Sequence, residues 1–252
     1  MNILRYDGSF YGLICVMAPY LKRRQLPDGI ERENSRQPLL FALEEEKSAP
    51  VTDLSADLAC DPQAFRLPGV SQESWQNVWH AFLSEAPGIE LAMARYLLLA
   101  IEKRAGIDSF MADERVRLIQ RLARKVTFER HRFMGLLRFR SIGDNLYYAA
   151  ISSDNFILPI LAPFFVERLA DQKWIIHDRK REVAAMYDMR AWTIIERAAA
   201  DLPADSPEEG ATQQLWQCFF DSIAVRERLN LALQQKFIPK KYWQDLIEKP
   251  GQ

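Results

Sequence analysis

Near residue 134 the rhythm of this 252-residue chain changes, and that change limits what it can fold into. Before it, apolar residues recur at helical spacing: Trp75, Val78, Trp79 and Phe82, then Leu91, Ala94, Leu98 and Ile101, then Val116, Ile119, Leu122 and Val126. Such spacing turns one stripe of a helix toward a core. Beyond it come short runs with the content of strands, Leu136–Arg140 and Leu146–Ile151, then Trp174–His177 and Val183–Tyr187. Ser141-Ile-Gly-Asp-Asn145 supplies a hairpin turn for the first pair, and Asp178–Glu182 separates the second. Trp192–Ile195 adds a further strand candidate, and the helical segment Ile157–Leu169 lies between the pairs. The expected class is α+β: a helical block, a small antiparallel β-β-α-β-β sheet unit and a C-terminal helical segment.

The segments follow from this. Residues 1–24 hold a strand at Ile3–Tyr6 and a helix from about Phe10, capped by Ser9 and kinked or shortened by Pro19. Residues 25–70 carry five prolines, at 27, 38, 50, 62 and 68. Between Asp28 and Asp61 they also carry nine acidic residues against three basic ones, so they read as an acidic, irregular connection. Residues 71–133 are the helical block, 134–197 the sheet unit and 208–246 the C-terminal helices, all read as one compact unit. Cys15, Cys60 and Cys218 stand far apart with no Cys-x-x-Cys pair, which fits a reducing, cytoplasmic setting better than a disulfide framework. Arg5 and Asp7 interrupt any apolar leader. The apolar stretches at Leu91–Ile101 and Phe156–Val166 fall short of the roughly 20 residues a bilayer span needs, so no membrane role is expected.

Net charge is −1, yet the charges are unevenly placed. From Arg115 to Arg140 nine Arg or Lys residues face one acid, Glu129, a balance of +8. Arg117, Arg121 and Arg124 recur along one stripe of a helix, with Lys125 beside them. In a strand, Arg138 and Arg140 would share a face. Guanidinium groups bind phosphate through bidentate, charge-assisted hydrogen bonds, and the neutralised phosphates release counterions. The bland alternative is a solvated face paired with carboxylates of the acidic connection. Lys240 and Lys241, beside Tyr242 and Trp243, form a second basic group whose aromatics dock the tail on the core.

No complete catalytic motif occurs in the sequence. The histidines are His80, His131 and His177, and the weak catalytic candidates are His131, Asp154, His177 and Asp178. There is no His-Glu-x-x-His, no Cys/His cluster, no glycine-rich phosphate loop and no Gly-x-Ser-x-Gly elbow, so neither a metal nor a cofactor is expected.

Five blocks together carry a resemblance. They are Tyr6-Asp-Gly-Ser-Phe10, Ala81-Phe-Leu-Ser-Glu-Ala-Pro-Gly-Ile-Glu90, Arg130-His-Arg-Phe-Met-Gly-Leu-Leu-Arg-Phe139, Trp174-Ile-Ile-His-Asp178 and Phe237-Ile-Pro-Lys-Lys-Tyr-Trp243. In these the chain resembles a bacterial domain-of-unknown-function family of DNA metabolism or DNA repair proteins. Members of that family occur alone, beside a radical S-adenosylmethionine protein, or fused to a uracil-DNA glycosylase-like domain. The resemblance implies a DNA repair role with an enzymatic partner, and it supplies no catalytic residues.

Three readings follow. The first is an accessory protein that binds DNA, or a DNA-acting radical S-adenosylmethionine enzyme, through Arg117, Arg121, Arg124, Lys125, Arg138, Arg140, Lys240 and Lys241. The second is a nucleic-acid-processing enzyme, which requires the four weak candidates to converge. The third is a protein–protein adaptor that docks through Trp75, Trp79 and Phe82.

Overall fold

The computed structural model describes residues 3–33, 67–104, 106–143, 145–196, 209–210, 212 and 238–246. Most of the acidic connection and most of the C-terminal helical segment lie outside the described residues. The chain forms two compact units, Met1–Thr127 and Phe128–Gln252.

In the first unit, β1 (Ile3–Tyr6) runs into α1 (Phe10–Lys22) through Asp7-Gly-Ser9. The turn is built for this sequence. Gly8 sits at φ +91°, a left-handed angle that strains any L side chain, and a Cβ there would also displace the Arg32 guanidinium. The Ser9 hydroxyl accepts from the Gly12 amide at 2.9 Å and caps the helix. Pro19 does not stop α1, which continues to Lys22. β2 (Gly29–Arg32) pairs with β1 in parallel, Ile3 opposite Gly29 and Tyr6 opposite Arg32. This strand lies inside the segment expected to be irregular. Its four residues carry neither alternation nor length enough to announce it.

α2 (Gln72–Phe82) and α3 (Ile89–Lys103) follow, the first capped by Ser71. They bury Val78, Met93, Tyr96 and Leu97 against Leu13, Ile14 and Met17 of α1. α4 (Glu114–Leu136) begins in this unit and contributes Val116, Ile119 and Leu122 to the same core. Beside that core, the buried Asp108 carboxylate accepts from Ser74 Oγ at 2.7 Å, Asn77 Nδ2 at 2.9 Å and the Tyr96 hydroxyl, and its carbonyl accepts from Gln120. Burial and this bond to Asp108 hold the Tyr96 phenol protonated well above its usual range.

The second unit is a five-stranded sheet in the order β3-β4-β5-β6-β7, with β3 at Arg140–Ser141, β4 at Leu146–Ile151, β5 at Lys173–Asp178, β6 at Val183–Tyr187 and β7 at Trp192–Glu196. The α+β class is as expected, and the third strand candidate is present. The sheet is mixed rather than purely antiparallel, because β4 and β5 pair in parallel. The reason is the connection: α5 (Leu158–Arg168) crosses between them and returns the chain to the same end of the sheet. α5 buries Leu158, Leu161, Ala162 and Phe165. Phe139 bridges Phe165 and Trp174, with ring centroids 5.2 and 6.4 Å away.

The run expected as a strand at Leu136–Arg140 is mostly something else. α4 continues through Leu136, and the strand begins only at Arg140. Helical spacing wins here because Phe133 is buried and keeps the last turn of α4 packed.

Candidate functional site

Two features of the chain gather its charged and polar side chains: the outward side of α4, and a polar corner in the second unit.

On α4, the buried positions Val116, Ile119, Leu122, Ala123 and Val126 define the inward side. The 3.6-residue period then turns Arg117, Arg121, Arg124 and Lys125 outward, and all four are exposed. No carboxylate pairs with any of the four among the described residues. The helix's neighbouring charge behaves differently: Arg115 is held by Asp113 at 2.7 Å, and the arginine draws the carboxyl of Asp113 down to about 2.

The arginines after α4 are engaged. Arg138 donates to the carbonyls of Gly135 and Leu137 at 2.7 and 3.2 Å, and Arg140 lies over the Tyr148 ring at 4.8 Å; both are half-buried. The expectation that they alternate along one strand face does not hold, since Arg138 precedes the strand.

The polar corner brings together residues far apart in sequence. Glu129, on the inward side of α4, is buried and accepts from the Asp154 amide at 2.8 Å, the Asn155 amide at 2.9 Å and the Tyr242 hydroxyl at 2.6 Å. Burial and the bond to Glu129 push the Tyr242 phenol far up, so it stays a donor. The Tyr242 ring meets Phe133 edge-on at 4.9 Å. Lys241 forms an ion pair with the exposed Asp154, and Lys240 lies 5.9 Å from the Trp243 ring. Tyr242 and Trp243 therefore dock the tail as expected, and of the two lysines Lys241 is engaged at the turn it docks against.

Asp178 completes the corner. It is fully buried, and its carboxylate accepts from Arg181 Nη1 at 2.7 Å, the Lys180 amide at 3.1 Å and Ser153 Oγ at 3.4 Å. The same guanidinium donates to the carbonyls of Ser153 and Asp154 at 3.2 and 2.9 Å. Burial raises the Asp178 carboxyl above its ordinary value, against the pull of Arg181.

The four weak catalytic candidates are thus placed apart in chemical terms. His131 is exposed on α4, and Asp154 points to Lys241. His177 and Asp178 are neighbours on β5, so the pleat sends them to opposite faces of the sheet. The His177 ring meets the Tyr148 hydroxyl through Nδ1 at 3.0 Å, and its buried Nε2 has no hydrogen-bond partner among the described residues. Burial, then Arg179, lowers its pKa and keeps the imidazole neutral. Arg181 and Lys180 each link the Asp178 carboxylate to the Asp154 carbonyl, while the Asp154 carboxylate itself pairs with Lys241. Each buried carboxylate is fully engaged by donors, which suits an anchor rather than a general base.

Glu129, Ser153, Asn155 and Arg181 are not among the site residues the sequence suggests. One signal was available for Glu129: it is the lone acid among nine bases. The rings proposed for an adaptor face are packed, Trp75 buried and Trp79 and Phe82 half-buried against Phe10 at 4.9 and 5.4 Å. Among the described residues no three His, Cys, Asp or Glu side chains gather as a metal site needs, and no described helix is long and apolar enough to cross a membrane.

Compared with known proteins, no curated protein and no solved structure matches this chain. A family model does, that of a domain of unknown function designated DUF4130, over residues 87–248. That span takes in α3, α4, the whole five-stranded sheet and the Lys240–Asp245 turn, and so every residue of the polar corner. On a match that covers most of its length, the chain belongs to the DUF4130 family.

Proposed function

We propose that this protein is an accessory component of DNA repair or DNA metabolism that binds DNA through the outward side of α4 and serves a DNA-acting partner enzyme of the radical S-adenosylmethionine type. The observation that carries the reading is the row Arg117, Arg121, Arg124 and Lys125, exposed along one helix with no carboxylate partner among the described residues. An unpaired guanidinium row repels itself, and the arrangement is relieved by an extended polyanion. In this reading the polar corner is structural: Glu129, Asp178 and Arg181 fix the tail and the turns of the sheet. No self-sufficient catalytic activity is assigned, since the four candidate side chains do not converge.

The test uses the full chain and a labelled DNA, with R121E/R124E against the wild type. Charge reversal of two outward arginines is expected to weaken binding at least tenfold while leaving the fold intact. Equal binding by both proteins, or none by the wild type, would remove the proposal. Co-purification with the radical enzyme, repeated with R121E/R124E, separates partner contact from DNA contact.

A further inference from the structure

The basic row on α4 is interrupted by one residue of a different kind. Phe128 is 65% exposed, the most exposed large hydrophobic side chain among the described residues. It lies four residues after Arg124, three after Lys125 and four before Arg132, which is also exposed. On a helix these offsets bring all four side chains to one side of the cylinder. The spacing belongs to one continuous helix, so α4 itself sets it: Arg124 and Arg132 stand about 6 Å along the axis on either side of the ring.

An apolar ring held in water is unfavourable, by an amount that grows with the area exposed. No aromatic partner packs on Phe128 among the described residues. The inward side of α4 is already filled by Val126, Glu129 and Phe133, so the ring has no place in the core. A flat apolar face flanked by cations matches one kind of polyanion best. In duplex DNA the base faces are stacked on each other and only phosphates are offered. In a single strand both phosphates and base faces are available, and an aromatic side chain between basic residues can take one of each.

Resting on the DNA-binding reading above, we propose that α4 is a single-strand binding element, with Phe128 stacking on an unpaired base while Arg124, Lys125 and Arg132 hold the flanking phosphates. Stacking needs no base-edge hydrogen bond, so the element accepts any base sequence.

The experiment measures fluorescence anisotropy of one labelled oligonucleotide, single-stranded or annealed to its complement, with the full chain. The wild type is expected to favour the single strand. F128A should lose about tenfold on the single strand and little on the duplex, with its salt dependence unchanged, because no charge is removed. F128W should restore the preference, whereas R121E/R124E should weaken both forms and flatten the salt dependence. If F128A weakens neither form, or both equally, while R121E/R124E still weakens them, the stacking role is wrong and DNA binding by the arginines stands. If the wild type binds neither form, both readings fall. Loss of co-purification with a partner protein in F128A, with DNA binding unchanged, would assign the ring to a protein contact and overturn the proposal.

Discussion

Single side chains decide how the second unit holds together, and Glu129 matters most among them. Four donors end on its buried carboxylate from two separate segments: the backbone amides of Asp154 and Asn155, the Asn155 side-chain amide, and the hydroxyl of Tyr242. Glu129→Ala leaves them without an acceptor, which should cost about 3 kcal/mol in urea denaturation. Asp154→Asn removes only an exposed ion pair with Lys241 and should cost less than about 1 kcal/mol. His177 gives a pH-dependent counterpart. Its folded pKa is depressed by burial, so its contribution to stability is present above the unfolded value of roughly 6.5 and is lost as pH falls through the lower folded value. His177→Gln can still bond Tyr148 but cannot titrate. Stability of this variant, followed by denaturation between about pH 7 and pH 5, should fall less steeply than that of the wild type.

Elements show where the sequence spoke clearly and where it did not. α3 and α4 and the strands β4, β6 and β7 were legible because their apolar periods are long or regular. β2 was not, because four residues pairing only with β1 carry no period of their own. The parallel pairing of β4 with β5 was hidden for a different reason: each strand reads as half of its own hairpin, and the helical segment between the two pairs does not say that β4 and β5 lie side by side. Of the candidate residues, the exposed α4 row was legible from spacing alone. The polar corner was not, since Glu129, Asp154, Asp178 and Tyr242 are brought together only by tertiary packing. The β1–α1 turn gives an element-scale check. Gly8→Ala forces a left-handed angle on alanine, while the flexible Arg32 side chain can move aside, and should lower stability by about 1–2 kcal/mol in thermal or urea unfolding.

For the molecule as a whole, a net charge of −1 gives no hint of nucleic-acid binding. Charge placement does: a row of cations on one helix lacks carboxylate partners among the described residues. Surface substitutions there should leave stability within about 0.5 kcal/mol of wild type, so any change in binding reports the contact itself. The direct measurement is the dependence of DNA affinity on salt. If four phosphates are neutralised, the slope of log K against log salt should be about −3 for a single strand, and R121E/R124E should flatten it by at least the two lost contacts. Affinity that does not change with salt, or a slope identical in R121E/R124E, would contradict the account.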